Sequence, residues 1–185
     1  LFTRSLDDSK DLILKFNDLG HKVSYMPVIE IQGIGYEKVN FKDYKALIFT
    51  SANSLKFLNT KEIDKNIYCF CVGIATEKKA SKLGFQNIIT AEGNVRNLKE
   101  IIIRNFNSSD GKILYVSGDI ISSDLDKELK FLGYEINRII NYTAKPVDKI
   151  DEKFIEDLKT NIPDIVYVYS QNSALSFLKI IKNYN

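Results

Sequence analysis

Three observations in the sequence predict an α/β fold built on parallel β-sheets. Short apolar runs alternate with segments of helical period along the whole chain, which is typical of parallel βαβ units. Three times a helix ends in Leu-Gly and a strand follows at once, in "DLGHKVSY", "KLGFQNII" and "FLGYEINRI". Two extended stretches interrupt this alternation. Together these features predict two doubly wound, flavodoxin-like sheets joined by a two-stranded connector.

Strands are predicted where short apolar runs are bounded by turn residues. The clearest helix has apolar residues at helical spacing from Leu12 to Leu19 and stops at Gly20. Two further helices stop at Gly84 and Gly133 in the same way. Glycine ends a helix well because it adopts the left-handed backbone conformation without steric cost. In chain order the predicted strands are Leu1–Thr3, Lys22–Tyr25, Ala46–Thr50, Ile67–Val72, Asn87–Thr90, Lys112–Val116, Glu135–Ile140 and Asp164–Tyr169.

The two interruptions are the predicted linkers. The first, "PVIEIQGIGYEKVN" at residues 27–40, is too short and irregular for a helix. The second, "NRIINYTAKPVDKI" at residues 137–150, is extended and contains a proline that disfavours helix before it. We predict that residues 29–38 and 138–146 form the linker strands.

These linkers divide the chain into a middle domain and a terminal domain. The middle domain, residues 29–146 with both linker strands, has enough strands and helices for a complete doubly wound unit. Residues 1–28 and 147–185 form the terminal domain, which holds only three predicted strands. Three strands are few for an independent sheet. We therefore expect this domain to be incomplete here and the natural chain to continue past Asn185.

Charge and hydropathy exclude two classes of partner. The 26 basic and 24 acidic residues give a net charge of +2 and are spread along the chain, so no basic face predicts nucleic-acid binding. No apolar run approaches the roughly 20 residues that a membrane helix needs. We expect a cytoplasmic, monomeric protein that binds neither nucleic acid nor membrane.

Metal chemistry has little support in the sequence. Cys69 and Cys71 alternate with apolar residues in "IYCFCVG", so both thiols face one side of a strand and are interpreted as buried core residues. His21 is the only histidine. Without a Cys/His cluster, no zinc or iron site is predicted, and we expect no cofactor.

One strand-to-helix corner occurs twice in the chain. "FTSANSLKFL" (Phe49–Leu58) and "YSQNSALSFL" (Tyr169–Leu178) share a Ser-x-Asn-Ser sequence after an apolar run. Corners at the carboxyl ends of parallel strands bind ligands in α/β proteins, and free N–H groups at helix N-termini favour anions. Ser and Asn are also good helix N-caps without any ligand. Both interpretations stay open from the repeat alone.

Eight segments in order along the chain resemble those of the uroporphyrinogen-III synthase family. They are "FTR", "LGHKVSYMPVIEI", "FTSANSLKFL", "CVGIATEKKASKLGF", "AEGNVRNL", "ILYVSGD", "LKFLGYEINRIINYTAKP" and "VYVYSQNSALSFL". The resemblance implies two α/β domains joined by a two-stranded connector. It also implies a further C-terminal segment with a second Gly-x-x-Thr corner, which is absent from this sequence.

The resemblance implies a cyclising hydro-lyase of tetrapyrrole and haem biosynthesis. Its substrate would be hydroxymethylbilane, a linear tetrapyrrole with acetate and propionate groups on every ring. Loss of the terminal hydroxyl gives an electrophilic azafulvene, and a spiro intermediate then inverts ring D. The work of such an enzyme is mainly to hold the chain curled and favour one attack geometry. This suits a sequence with no evident triad.

Residue by residue, the resemblance implies a catalytic tyrosine and a set of carboxylate-binding corners. Tyr142 in "NYTAKP" would help the hydroxyl leave as an acid or hydrogen-bond donor, and packing as a linker aromatic is its alternative role. Thr76 matches the family's cleft threonine, with an ordinary N-cap as the alternative. Asp119 would put a negative charge beside an acidic ligand, so the Gly118 backbone is the better candidate. The predicted substrate-binding residues are Thr3, Arg4, Thr50, Ser51, Ala52, Asn53, Thr76, Ser117, Gly118, Ser170, Gln171 and Asn172.

Three other functions compete with the synthase interpretation. A non-catalytic two-lobed small-molecule binding protein would share the corners and the hinge. A response-regulator-like domain would need an acidic pocket, which Asp119 alone does not make. A nucleotide-binding domain would need a glycine-rich first turn, and "FTRSLDDS" contains no glycine.

Overall fold

A computed structural model describes residues 1–147 and 149–184 of the chain, and Asp148 and Asn185 lie outside the described residues. The chain divides into two compact units. The terminal unit comprises Leu1–Glu30 and Ala144–Asn185, and the middle unit comprises Ile31–Thr143. Both divisions fall inside strands that the sequence analysis assigns to the linkers. The domain boundaries and the incompleteness of the terminal domain stay predictions.

Six strands and seven α-helices make up the regular structure of the described residues. The strands are β1 (Ile29–Gly33), β2 (Tyr44–Phe49), β3 (Tyr68–Val72), β4 (Ile88–Ala91), β5 (Lys112–Gly118) and β6 (Ile136–Pro146). The helices are α1 (Leu6–Asp18), α2 (Ala52–Lys56), α3 (Ile74–Lys82), α4 (Val95–Asn105), α5 (Leu125–Phe131), α6 (Glu152–Thr160) and α7 (Gln171–Tyr184). Alternation of strands and helices from β2 to β6 confirms the predicted α/β class.

The six strands form one mixed sheet in the order β1-β6-β5-β2-β3-β4. From β6 to β4 every neighbouring pair is parallel. Relative to chain order, these five strands follow the 3-2-1-4-5 order of a Rossmann half-sheet. The flavodoxin-like order predicted from the sequence is wrong for this sheet, because the alternation of strands and helices does not specify the side on which each crossover returns.

Side chains on both faces of the parallel strands are buried. On one face Ile48 and Tyr115 pack with α4 and α5 residues, and on the other Phe49 and Val116 pack with α2 and α3 residues. Such two-sided burial explains why these strands are continuously apolar. Cys69 and Cys71 lie in the second cluster with their sulfur atoms 3.9 Å apart. The prediction of two buried core thiols on one face is confirmed.

The two linker stretches pair with each other as β1 and β6. Ile34 N–H donates to the Asn141 carbonyl oxygen at 2.9 Å, and Val147 N–H donates to the Val28 carbonyl oxygen at 3.0 Å. These two bonds lie at opposite ends of β1, so the strands are antiparallel. The predicted strand Glu135–Ile140 and the linker strand that follows it form one continuous strand, β6.

The terminal unit has less strand structure than predicted. Phe2 makes one parallel bridge to Tyr25 and another to Tyr167, and the three predicted strands Leu1–Thr3, Lys22–Tyr25 and Asp164–Tyr169 are reduced to these bridges. The Leu1–Thr3 segment lies between the other two, since Phe2 bridges to both. Beside it, a small core contains Met26, Val28, Ile155 and Ile180. Among the helices of the described residues, none is long and apolar enough to cross a membrane.

Candidate active site

The middle unit brings several predicted site residues to one edge of its sheet. Thr50 and Ser51 follow β2, Ser117 and Gly118 end β5, and Tyr142 lies on β6. On one side β2 has β3, the next strand in the chain, and on the other side it has β5. The strand order therefore reverses between β2 and β5. In open α/β sheets, the carboxyl ends of strands at such a point form the ligand-binding crevice.

The first Ser-x-Asn-Ser corner is closed by its own hydrogen bonds. Ser51 is the N-cap of α2, and its Oγ accepts from the Asn53 N–H at 3.2 Å. Ser54 Oγ donates to the Ser51 carbonyl oxygen at 2.7 Å. The N–H of Asn53 is thus already engaged inside the corner, and Ala52, half-buried, is the first residue of the helix. The N-cap interpretation of this corner is confirmed for Ser51.

Tyr142 packs directly on Gly118 at the end of β5. A Cβ atom added at Gly118 would lie 2.7 Å from Tyr142 Cζ and 3.0 Å from its hydroxyl oxygen. The two residues are register partners, and Asp119 N–H donates to the Tyr142 carbonyl oxygen at 3.1 Å. Glycine at position 118 therefore allows the half-buried ring of Tyr142 to lie against the strand.

Arg138 and Tyr115 belong to the same edge, although the sequence analysis did not select them. The two are register partners on β6 and β5, and the Arg138 guanidinium lies 5.9 Å from the Tyr115 ring centroid. Arg138 Nε donates to Ser117 Oγ at 2.7 Å, and its Nη2 donates to the Gly118 carbonyl oxygen at 2.8 Å. The Tyr115 hydroxyl lies 3.0 Å from Thr50 Oγ1. These contacts connect β6 to the ends of β2 and β5.

Burial is the main electrostatic influence on Tyr115. Only 1% of the residue is exposed, and desolvation raises the pKa of its hydroxyl. The hydrogen bond with Thr50 and the positive charge of Arg138 act in the opposite direction, while Tyr142 and Asp126 raise the pKa further. The Tyr115 hydroxyl is therefore neutral at ordinary pH. Tyr115 connects Thr50, its hydrogen-bond partner, to the Arg138 guanidinium near its ring.

Asn141 was also missed by the sequence analysis. Its side chain is fully buried, and its Nδ2 donates to the Ser54 carbonyl oxygen at 2.7 Å. This bond ties α2, and with it the first corner, to the strand that carries Tyr142. The sequence signal that could have been used is the spacing of Asn141 two residues after Ile139, which puts an amide on an apolar face of an extended segment, where it needs a specific partner.

Two further residues of the middle unit, Thr76 and Asp119, have well-defined surroundings. Thr76 is the third residue of α3 and only 3% exposed, and the helix is capped by Gly73, so the alternative interpretation of Thr76 as the N-cap is wrong. The Asp119 carboxylate accepts from Thr143 Oγ1 at 2.6 Å and from the Ile120 N–H at 2.8 Å. These bonds hold the carboxylate at the end of β5.

The terminal unit holds the remaining predicted residues. Thr3 is buried and its Oγ1 donates to the Tyr167 carbonyl oxygen at 2.9 Å, while Arg4 is exposed with its guanidinium 4.1 Å from the Tyr169 ring centroid. Ser170 Oγ accepts from the Ser173 N–H at 3.1 Å at the start of α7. Gln171 and Asn172 are exposed in the first turn. Within residues 1–147 and 149–184, no three His, Cys, Asp or Glu side chains cluster as metal ligands.

The family to which the chain belongs follows from a match that covers almost the whole sequence. The family model described as "Uroporphyrinogen-III synthase HemD" matches residues 10–185. The chain belongs to the uroporphyrinogen-III synthase family. Members of this family are cyclising enzymes of haem biosynthesis. Comparison with curated protein sequences finds no match.

Two solved uroporphyrinogen-III synthases share the fold. The Helicobacter pylori enzyme is 17% identical with a TM-score of 0.59, and the match covers 86% of this chain and 74% of that one. A mutant enzyme from the extremely thermophilic bacterium Thermus thermophilus is 13% identical with a TM-score of 0.55, and the match covers 96% of this chain and 75% of that one. At such identities the likeness establishes the fold alone.

Proposed function

We propose that this chain cyclises hydroxymethylbilane to uroporphyrinogen III, with inversion of ring D and loss of water, as a hydro-lyase. Membership of the uroporphyrinogen-III synthase family over residues 10–185 supports the reaction class. The remaining support comes from the edge of the middle-unit sheet described above.

The observation that carries the proposal is the environment of the Tyr142 hydroxyl. Its ring lies on Gly118 at the carboxyl edge of the parallel strands. Within the described part of the chain, the hydroxyl has no hydrogen-bond partner, so it can donate to a ligand. Departure of the bilane's terminal hydroxyl needs such a donor, because the leaving oxygen must receive a proton to depart as water.

The groups around Tyr142 are suited to binding a charged substrate in one conformation rather than to nucleophilic attack. Thr50 supplies a half-buried hydroxyl group and Arg138 a positive charge, and the buried Tyr115 and Ser117 hydroxyls hold these two side chains in place. Such donors can hold the substrate's carboxylates and leave the reacting rings to form the new bond themselves. The enzyme would then select the geometry in which ring D inverts and exclude direct closure to the type I isomer.

The proposed carboxylate contacts differ between the units. In the middle unit we propose Thr50, Ser51, Ala52, Thr76 and the Gly118 backbone. The Ser117 hydroxyl is less suited, because it already donates to the Gly118 carbonyl oxygen. The proposed terminal-unit contacts are Thr3, Arg4, Ser170, Gln171 and Asn172. Asn53 is the weakest member of the set, because Ser51 Oγ already accepts from its N–H.

The test is an isomer assay on freshly prepared hydroxymethylbilane. The bilane is incubated with the protein or without it, the products are oxidised, and type I and type III uroporphyrins are separated by chromatography. The proposal expects type III to predominate only when the protein is present. Type I alone, formed at the rate of the blank, contradicts it, and tight binding of the bilane without turnover would instead support a non-catalytic binding protein.

A further inference from the structure

We infer that Arg138 binds a carboxylate of the substrate beside Tyr142. The inference rests on the proposed function, since it takes the ligand to be a tetrapyrrole with several carboxylate groups. No sequence motif pointed to this residue. The observations that carry it are the fixed orientation of the guanidinium, its charge without an ion-pair partner, and its position on β6.

Neutral acceptors fix one side of the guanidinium. Nε donates to Ser117 Oγ at 2.7 Å, and Nη2 donates to the Gly118 carbonyl oxygen at 2.8 Å and the Asp119 carbonyl oxygen at 3.3 Å. The planar group is therefore oriented before any ligand arrives. Orientation in advance lowers the entropy lost when a planar anion binds the fork of N–H groups.

Arg138 takes part in none of the ion pairs of the described residues. In the described part of the chain, ion pairs of 4.0 Å or less join Lys99 to Glu128, Lys112 to Glu135 and Lys127 to Asp124, and none includes Arg138. The guanidinium therefore keeps its charge available for an anionic ligand, to which a charge-assisted hydrogen bond is stronger than one to a neutral acceptor.

The position of Arg138 connects the charge to the reaction. Arg138 and Tyr142 lie four residues apart on β6, and both contact Gly118 at the end of β5. A carboxylate bound at the Nη1 side of Arg138 would hold its pyrrole ring near the Tyr142 hydroxyl. Arg138 would then be a substrate-positioning residue, and its contribution would appear mainly in binding.

The experiment compares Arg138→Gln and Arg138→Lys with wild type in two measurements. The first is KM and kcat for hydroxymethylbilane. The second is the Kd of uroporphyrin III, a stable aromatic octacarboxylate, measured by fluorescence titration at several salt concentrations. Arg104→Gln is the matched control, because Arg104 is an exposed arginine in the last turn of α4.

Arg138→Gln is expected to raise KM and Kd about tenfold or more, with a smaller change in kcat. Its Kd should also depend less on salt than that of wild type, because one charge contact is lost. Arg138→Lys should recover part of the affinity, and Arg104→Gln should match wild type. A purely structural role would lower the melting temperature of Arg138→Gln without changing the salt dependence.

The outcomes separate the inference from the proposed function. If wild type makes type III product and Arg138→Gln has the same KM, Kd and salt dependence as wild type, the inference alone is overturned. Binding of uroporphyrin III that depends on Arg138 without formation of type III product overturns the proposed function and retains the carboxylate site. Absence of both binding and type III formation in wild type overturns both. If Arg138→Gln does not fold, a Kd of Arg138→Lys equal to wild type overturns the inference.

Discussion

The two Ser-x-Asn-Ser corners have the same residues at their start but different structures. In the middle corner, Ser51–Ser54, the Ser51 Oγ accepts from an N–H two residues on and opens the short helix α2. In the terminal corner, Ser170–Ser173, the Ser170 Oγ accepts from an N–H three residues on and opens the longer helix α7. The shared sequence specifies a helix start, while the surroundings decide the details of the cap.

The larger difference lies in the strands before the corners. Phe49, before the middle corner, is fully buried in a sheet with partners on both sides. Before the terminal corner, Tyr167 makes a single bridge and Val168 is 40% exposed. A corner anchored in a continuous sheet holds its neighbouring groups in fixed positions, as a reacting site requires. The comparison therefore favours the middle corner as the reacting part and the terminal corner as a carboxylate contact.

The strongest way to break the middle corner is to remove its link to β6. Asn141→Asp replaces the donor to the Ser54 carbonyl oxygen with a second acceptor in a fully buried position. The expected loss is about 3 kcal/mol in the free energy of unfolding, measured by urea denaturation. Asn137→Asp, exposed on the same strand, is the matched control and should change it little. Equal effects of the two substitutions would contradict the link.

Gly118→Ala is expected to lower activity strongly by displacing Tyr142. The new Cβ atom would lie 2.7 Å from Tyr142 Cζ, so the ring must move. Misplacement of a reacting group by about 1 Å can cost on the order of 100-fold in rate. The measurement is the initial rate of type III formation. Gly35→Ala is the control, since nothing lies within 4 Å of its added Cβ atom. An equal rate in both variants would contradict the proposed packing of Tyr142 on Gly118.

Removing the cap serines should distinguish the two corners by helix length. Ser51→Ala and Ser170→Ala should each cost about 1 kcal/mol through the lost cap. In Ser51→Ala, amide hydrogen exchange should rise throughout α2, which has 5 residues. In Ser170→Ala it should rise only in the first turn of α7, which has 14 residues, because the remaining turns hold each other. Faster exchange along the whole of α7 would show that the two corners behave alike.

The smallest expected effect concerns the alkaline stability of the middle unit. Because burial raises the pKa of Tyr115 above its usual 10.0, the unfolded chain loses this proton at lower pH than the folded chain. The stability contributed by neutral Tyr115 is complete below pH 10.0 and is lost as the pH rises through the folded pKa. Tyr115→Phe should therefore lose less stability than wild type does in thermal unfolding as the pH rises above 10.0, the usual pKa of the unfolded tyrosine. Parallel losses in both proteins would contradict this assignment.

The sequence predicted local features of the middle unit well. Alternating apolar runs located β2, β3, β4 and β5, and Leu-Gly pairs located the ends of α3 and α5 within a residue or two. These features depend on short-range periodicity and backbone preference, which a single sequence records.

Long-range features were not predictable in the same way. The order of the strands depends on the side to which each crossover returns, and the single bridges of Phe2 depend on which segments find partners. Arg138 was missed because its role comes from pairing with Tyr115 across two strands. Tyr142 was selected from the resemblance rather than from any property of its own segment.

The most direct test of the account compares Tyr142→Phe with Tyr169→Phe in the isomer assay. Each substitution removes one hydroxyl, beside the middle corner or the terminal corner, and preserves the ring. We predict that Tyr142→Phe loses most of its type III formation and that Tyr169→Phe retains a rate close to wild type. A Tyr142→Phe variant that still makes type III product at the wild-type rate would contradict the assignment of the reacting hydroxyl to Tyr142.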